Sequence, residues 1–324
     1  MKKKFEGSFT QQEAIPEEAI NAAVQVMKSG RLHRYNLAAG ETGDVANLEQ
    51  ELANLFGSRY CLAVASGGYA IATALRALGV GIGCKVLTNA FTLAPVPGAI
   101  ASVGAEPLYV GVTEDLVIDL EDLKEKAEQA DFLLLSHMRG HICDMDALMQ
   151  ICEQSNIHVI EDCAHTMGAK WRNTWSGRYG IIGCYSTQTY KHINSGEGGF
   201  LISDDAQVMA RAIVLSGSYM LYDKHLAAPD SKLFEKIRYE TPNISGRMDH
   251  LRASILRPQL RHLNAQCKAW NVRYKTLENG LKDTPGLRII QRPIQEAYVG
   301  SSIQFLLLDW NSDAIGCLLY TSDA

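Results

Sequence analysis

The stretch Ile157–Phe200, IHVIEDCAHTMGAKWRNTWSGRYGIIGCYSTQTYKHINSGEGGF, is the part of this chain from which its chemistry is inferred most directly. One apolar strand ends at Asp162, a second ends at Ser186, and Lys191 follows before a glycine-rich turn. A lysine among apolar and hydroxyl neighbours loses solvation, which lowers its pKa and favours Schiff-base chemistry. A buried carboxylate needs a cationic partner, and a protonated pyridine nitrogen is one. The pair suggests a carbonyl-type cofactor held between Asp162 and Lys191.

Outward from this stretch, apolar strands alternate with helices along most of the chain. The predicted strands are 60–66, 85–90, 107–112, 132–136 and 157–163, and the predicted helices are 16–29, 44–56, 69–79, 93–103, 119–130 and 144–155. This pattern is typical of an α/β fold with a mainly parallel central sheet and helices on both faces. Active sites of such sheets lie at the carboxyl ends of strands. The strand ends here carry Ser66, Phe91, Ser136, His137 and Asp162.

The second half of the chain leads to a smaller domain. After a helix at 204–215 and a long irregular stretch, apolar residues from Leu256 to Leu281 recur at helical period, and we interpret them as core packing. CLLYTSDA at the end resembles a translated sequencing adapter, so we expect the genuine chain to stop near Gly316. The predicted parts are a large cofactor-binding α/β domain with N-terminal helices at 1–247, the start of a truncated α+β domain at 248–316, and an adapter artefact at 317–324.

The composition argues against several classes of protein. The 324 residues carry 31 basic and 36 acidic side chains, a net charge of −5, and no basic cluster follows the initial MKKK, so we expect no nucleic-acid partner. We expect no membrane span, because no run of 18 apolar residues exists. The eight cysteines form no CxxC motif, and most lie in apolar runs. These features indicate a reduced, cytoplasmic protein.

A phosphate site is predicted at Ser66-Gly67-Gly68, between a strand and a helix. A glycine turn at a helix N-terminus presents backbone N–H groups and the positive end of the helix dipole. Ser186 can add a hydroxyl, and Phe91 can stack on a planar ring. Taken singly, each feature also fits a plain strand–helix turn or a core aromatic residue.

Six motifs in a fixed order carry a resemblance to a known family. They are SGG at 66–68, NAFT at 89–92, DMD at 144–146, EDCAHTMGA at 161–169, YSTQTYKHINSGEGG at 185–199 and SGRM at 245–248. Together they resemble the pyridoxal-phosphate-dependent sugar aminotransferases of the DegT/DnrJ/StrS type, from about Ala14 to Trp310. The resemblance implies a fold-type-I aminotransferase that works as a homodimer with active sites at the interface. It also implies pyridoxal 5'-phosphate as cofactor, glutamate as amino donor, and a keto sugar, nucleotide-linked, or a keto-cyclitol as acceptor.

The same resemblance implies roles around the cofactor ring. Lys191 would hold the cofactor through a Schiff base and later move protons, and Asp162 would pair with the pyridine nitrogen. Phe91 would stack on one ring face and Ala164 would lie against the other. His165 stands where many members have glutamine, near the phenolic oxygen.

At the phosphate end, Ser66, Gly67, Gly68 and Ser186 would hold the phosphate group. Family members usually send an asparagine across the dimer to the other subunit's phosphate. In TPNISGRM that position is occupied by serine, so either Asn243 or Ser245 of the partner subunit is predicted to serve.

Three rival functions compete with transamination. A sugar dehydratase of the same fold uses histidine in place of the lysine, but counting back from the glycine-rich turn puts Lys191, not His192, in that position. A zinc hydrolase built on His137, His141 and Asp144 is disfavoured because a glycine interrupts the segment and DMD resembles a helix cap, so we expect no metal. A catalytically silent relative is the third.

Overall fold

The computed structural model describes residues 12–308, and its elements follow the predicted alternation. The strands are β1 (Tyr60–Val64), β2 (Lys85–Asn89), β3 (Glu106–Val110), β4 (Phe132–Ser136), β5 (His158–Asp162), β6 (Lys170–Trp171), β7 (Thr174–Trp175), β8 (Ile182–Ser186), β9 (Gly199–Ser203), β10 (Leu287–Ile289), β11 (Glu296–Ala297) and β12 (Phe305–Leu307). The α-helices are α1 (Glu17–Ser29), α2 (Asp44–Phe56), α3 (Gly67–Ala77), α4 (Pro95–Ser102), α5 (Leu120–Lys126), α6 (Met145–Gln154), α7 (Ala206–Ser216), α8 (Phe234–Glu240) and α9 (His250–Leu281).

The central sheet has the strand order β1-β9-β8-β5-β4-β2-β3. The pairs from β8 through β5, β4 and β2 to β3 are parallel, which confirms the predicted mainly parallel sheet. β9 is antiparallel to both β1 and β8. No strand was predicted at 199–203, because these five residues directly follow the glycine-rich turn and are too few to show a period. β9 matters because its pairing places the lysine-bearing turn between two buried strands.

Both faces of the sheet are covered, as the apolar runs predict. Along β4, Leu133 and Leu135 pack into one core with α2, α5 and α6, while Leu134 packs into a second core with α3, α4 and α7. All three leucines are buried. Burying each one contributes about 1.5–3 kcal/mol, which explains why the strands need no polar alternation.

The long helix α9 packs against α1 and α2, and its buried residues Leu256 and Leu263 belong to the same core as Leu133 and Leu135 of β4. Asp249 caps it by accepting a hydrogen bond from the N–H of Arg252 at 2.9 Å. In the predicted apolar seam Leu256, Leu263, Cys267 and Tyr274 are buried and Leu260 and Trp270 are partly buried, but Leu277 is 52% exposed. The seam therefore ends earlier than predicted.

The remaining elements are small. β10 and β12 form an antiparallel pair, and β11 joins β6 and β7 in a three-stranded sheet. The irregular stretch 216–246 contains α8. The expected artefact at 317–324 and the end of the predicted strand 301–310 lie outside the described residues, and the domain division at 247/248 stays a prediction. Of the helices described, none is long and apolar enough to cross a membrane. The cysteines within residues 12–308 are free thiols.

Candidate active site

A cavity of about 570 Å³ opens at the carboxyl ends of β5 and β8, beside the N-terminus of α3. Its walls include eight of the residues predicted for the site, namely Ser66, Gly67, Gly68 and Ser186 at one end and Asp162, Ala164, His165 and Lys191 at the other. Residues more than a hundred positions apart in the chain thus meet on one surface. This convergence is the geometric basis for assigning the cavity a function.

Three residues predicted for the site do not line this cavity. Phe91 is not among the residues that line the cavity, and Leu93, Pro95 and Val96 contribute to its wall instead. Asn243 and Ser245 are exposed and lie outside the cavity. The stacking role of Phe91 and the contact by Asn243 or Ser245 of the partner subunit stay predictions.

The phosphate end depends on a close approach of three backbone segments. Ser66 caps α3, and its Oγ accepts a hydrogen bond from the N–H of Tyr69 at 3.1 Å. A Cβ added to Gly67 would lie 2.8 Å from Ser186 Cβ, and one added to Gly199 would lie 2.6 Å from the backbone nitrogen of Gly67. Glycine at both positions therefore lets β8 and β9 pack against the start of α3. The first N–H groups of a helix have no partner within the helix, so this end can bind an anion.

Asp162 is a buried carboxylate, and its hydrogen bonds offset only part of the cost of burying its charge. Its Oδ2 accepts from Ser136 Oγ at 2.9 Å, and its Oδ1 accepts from the N–H of Ala164 at 3.1 Å. Burial raises the pKa of Asp162, although these two hydrogen bonds and the charge of Lys191 oppose the rise. Within residues 12–308 no cation lies within ion-pair distance of it. A cationic N–H donor in the cavity would stabilise the ionised carboxylate.

Lys191 is partly buried, and its Nζ lies 3.2 Å from Nε2 of His165. Burial lowers the pKa of Lys191; the carboxylate of Asp162 opposes this shift and the charge of Arg139 adds to it. Burial, together with the charges of Lys191 and Arg139, lowers the pKa of His165 to about 3. The imidazole is therefore neutral at neutral pH, and its Nε2 can accept a hydrogen bond from the lysine ammonium.

The sequence places Ser136 at a strand end and Asn89 in a motif, but it does not predict that these residues orient Asp162. Asn89 receives the N–H of Ser136 on its Oδ1 at 2.9 Å and donates its Nδ2 to the carbonyl of Ser136 at 3.1 Å. Ser136 in turn donates to the carboxylate of Asp162. Polar residues at the ends of apolar strands can be recognised in the sequence as candidate site residues. Which of them contact one another depends on the strand order, which the sequence does not reveal.

His192 does not line the cavity that contains Asp162 and the N-terminus of α3. It lines a second cavity of about 490 Å³ but not the first, whereas Lys191 lines both. Its ring centroid lies 5.0 Å from that of Trp270. Burial, followed by the charges of His165 and Lys191, lowers the pKa of His192 to about 3.

The residues of the metal-hydrolase alternative face separate partners. His137 Nε2 lies 3.0 Å from Glu161 Oε2, and His141 Nε2 lies 2.8 Å from Gln304 Oε1. Asp144 caps α6 by accepting backbone N–H groups. These three side chains do not converge, so that alternative loses its geometric basis.

A mainly parallel sheet with a lysine and a buried aspartate on one cavity is the architecture of the fold-type-I aminotransferases. A profile of the DegT/DnrJ/EryC1/StrS aminotransferase family matches residues 13–312, and the chain belongs to this family. The resemblance inferred from the motifs is thereby confirmed.

One curated relative and two solved structures illustrate the similarity. The Micromonospora echinospora protein named "Putative L-glutamine:3-amino-2,3-dideoxy-scyllo-inosose aminotransferase" is 30% identical over 247 residues, which are 74% of this chain and 57% of that protein. The chain thus spans little more than half of this relative's length.

DesV of S. venezuelae is 25% identical, with a TM-score of 0.80 over 94% of this chain and 77% of DesV. The GDP-4-keto-6-deoxy-D-mannose-3-dehydratase of E. coli, solved with bound hydrated PLP, is 21% identical, with a TM-score of 0.83 over 96% of this chain and 81% of the dehydratase. At that identity the dehydratase shows the fold alone.

Proposed function

We propose that this chain is a pyridoxal-phosphate-dependent aminotransferase that transfers an amino group from an amino acid to a keto sugar or a keto-cyclitol. The observation that carries the proposal is the shared cavity of Lys191, Asp162 and the N-terminus of α3. Each supplies one requirement of the cofactor: a reactive amine, an anionic partner for the ring nitrogen, and an anion site.

The residues present fit pyridoxal phosphate. Asp162 is a buried carboxylate with a raised pKa, and no cation of the described residues lies within ion-pair distance of it, so a pyridinium N–H suits it. Gly67 begins α3 and lies close to Ser186, so the helix N-terminus has a hydroxyl beside it. This combination suits a phosphate group. When bound, the cofactor supplies an aldehyde carbon and a pyridine ring that accepts electrons.

Lys191 performs the proton transfers in this proposal. Its lowered pKa increases the fraction of neutral amine at a given pH, and neutral amine is the form that attacks an aldehyde. With a donor amine bound in its place, Nζ would be positioned to take the proton from the donor's α-carbon as general base and to give that proton back as general acid. His165, which is neutral, accepts a hydrogen bond from the ammonium and so holds Nζ in place.

Asp162 has an orienting and electrostatic role. Ser136 and the N–H of Ala164 fix its two oxygens, so the carboxylate keeps one direction toward the cavity. A charge-assisted hydrogen bond from a ring N–H to such a carboxylate is worth about 1.5–3 kcal/mol. This interaction would keep the ring nitrogen protonated.

Transamination is favoured over dehydration because Lys191 and His192 differ in which of the two cavities they line. Lys191 lines the cavity that holds Asp162 and the phosphate end, and His192 does not. This arrangement supports Lys191 as the residue that binds the cofactor, which is also what the motif count predicts.

The substrates are proposed from the family and the relatives. The resemblance predicts glutamate as donor, and the name of the M. echinospora relative specifies L-glutamine and a scyllo-inosose, which is a keto-cyclitol. We therefore propose glutamate or glutamine as donor. The segments 31–36 and 216–247 are the proposed acceptor contacts, within a homodimer in which Asn243 or Ser245 of the partner subunit reaches the phosphate.

Two half-reactions test the function. Protein loaded with pyridoxal phosphate is mixed with L-glutamate or L-glutamine, and conversion of the cofactor to its amine form and release of the oxo acid are measured. The aminated protein is then offered keto-cyclitols and nucleotide-linked keto sugars, and the aminated product is detected by mass spectrometry. Failure of every amino acid to convert the cofactor would contradict the proposal and favour a catalytically silent relative.

A further inference from the structure

A short turn after β4 holds one arginine in an unusual backbone conformation. Arg139 has φ 55° and ψ 19°, in the left-handed region that residues other than glycine seldom adopt. The turn is held on both sides, because the N–H of His137 donates to the carbonyl of Asp162 at 3.1 Å and the N–H of Gly140 donates to the carbonyl of His137 at 3.0 Å. Strained backbone of this kind is concentrated at functional sites.

The turn lies directly beside the candidate active site. A Cβ added to Gly140 would be 3.1 Å from the carbonyl oxygen of His165. Arg139 lines both cavities, together with Tyr190, Lys191 and Ser301. Burial is the main cause that lowers the pKa values of Lys191 and His165, and the charge of Arg139 lowers both further.

The guanidinium of Arg139 lacks an anionic partner in the described part of the chain. Several other arginines have a carboxylate partner, for example Arg172 with Asp146 at 2.7 Å and Arg292 with Glu296 at 2.9 Å, and Arg76 and Arg247 donate to backbone carbonyls instead. Among residues 12–308 no carboxylate lies within 4.0 Å of Arg139, and its side chain has no hydrogen-bond partner there. An unpaired guanidinium on a cavity wall is suited to a carboxylate or a phosphate, which it binds with two parallel hydrogen bonds.

The position of Lys191 distinguishes these two anions. An amino-acid donor carries its carboxylate on the carbon next to the reacting nitrogen, and that nitrogen takes the place of Lys191 Nζ. The phosphate of a nucleotide-linked acceptor is separated from its keto carbon by much of the sugar ring. Because Arg139 lines the same two cavities as Lys191, its position suits the donor's carboxylate better than the acceptor's phosphate.

We infer that Arg139 binds the α-carboxylate of the amino donor and orients the donor amine toward the position of Lys191. This inference rests on the proposed aminotransferase function. It assigns Arg139 a direct contact with substrate and explains why a strained, solvent-facing arginine is placed at this turn.

The test measures equilibrium binding, not turnover. The probes are α-methyl-L-glutamate, which has the carboxylate but no α-hydrogen to lose, and UDP, which supplies only phosphates. Binding of each to the holoenzyme is measured by calorimetry for wild type, Arg139→Gln and Arg139→Gly. The glycine variant suits the left-handed backbone, so it removes the charge without adding strain. Arg172→Gln is the matched control, because Arg172 is also an exposed arginine with positive φ, at 50°, but lies outside both cavities.

Both Arg139 variants are expected to weaken α-methyl-L-glutamate binding roughly tenfold to hundredfold and to leave UDP binding within about twofold. Arg172→Gln is expected to change neither. Unchanged amino-acid binding in both Arg139 variants, or a loss of UDP binding as large as that of the amino acid, overturns the inference. Wild-type holoenzyme that converts no amino acid overturns the proposed function and this inference with it, whereas an active wild type with unaffected variants overturns this inference alone.

Discussion

Glycines at the phosphate end of the site predict an ordered series of alanine variants. A Cβ added to Gly68 meets only Pro95 Cβ, at the ordinary contact distance of 3.9 Å. A Cβ at Gly67 meets Ser186 Cβ at 2.8 Å, whereas one at Gly199 meets the backbone nitrogen of Gly67 at 2.6 Å. Side chains relax more readily than backbone, so destabilisation should increase from Gly68→Ala through Gly67→Ala to Gly199→Ala.

The magnitudes follow from two opposing effects. None of the three glycines has positive φ, so alanine restricts the unfolded chain and stabilises the fold by about 0.4–1 kcal/mol where space allows. That gain is the whole expected effect at Gly68. Overpacking costs about 1–3 kcal/mol, so Gly67→Ala should lose a net ~1 kcal/mol and Gly199→Ala, whose Cβ meets backbone atoms, a net ~2 kcal/mol or slightly more.

The assay is urea unfolding of the cofactor-free protein, followed by far-UV circular dichroism, for wild type and the three variants. Cofactor-free protein isolates packing from any contact between an added methyl group and the phosphate. Gly68→Ala is the internal control, since it adds the same methyl group in the same turn. If Gly68→Ala were the most destabilised, or if Gly199→Ala were as stable as wild type, the described packing of α3 against β8 and β9 would be refuted.

Three further predictions concern charged groups. Lys191→Ala should abolish amino transfer, measured as oxo-acid release, and retained turnover would contradict the mechanism. Asp162→Asn should lower the rate of the donor half-reaction at least about tenfold to hundredfold while some cofactor stays bound, because a charge-assisted hydrogen bond is lost. Although burial favours the neutral acid, Arg34 and His225 lower the pKa of Glu49 from 4.5 to about 2. The contribution of ionised Glu49 to the stability of the fold is therefore complete above pH 4.5 and is lost as the pH falls through about 2. The difference in unfolding free energy between wild type and Glu49→Gln should shrink over that window, and a constant difference would contradict the pKa shift.

Much of the fold was predictable because it depends on patterns that are local in sequence. Strands such as β4 and β5 are continuous apolar runs, since both faces of the sheet are buried, and the intervening helices carry visible caps and periods. Asp162 and Lys191 are recognisable as candidates because one ends an apolar strand and the other follows an apolar strand before a glycine-rich turn.

The parts that were missed depend on tertiary arrangement. β9 is a five-residue strand directly after a glycine turn, and its antiparallel placement between β1 and β8 has no local signature. The contact of Ser136 with Asp162 requires β4 and β5 to be neighbours, which only the strand order reveals. Arg139 resembles a solvated surface arginine in sequence, and its importance emerges only from the two cavities that it lines.

The central claim is that Lys191 is the residue that bonds to the cofactor. The most direct measurement is borohydride reduction of the protein loaded with pyridoxal phosphate, followed by proteolysis and mass spectrometry of the peptides. The account predicts one stable phosphopyridoxyl adduct, on Lys191, and none on that peptide in Lys191→Ala. An adduct on another lysine, or a cofactor that stays fully exchangeable after reduction, would contradict it.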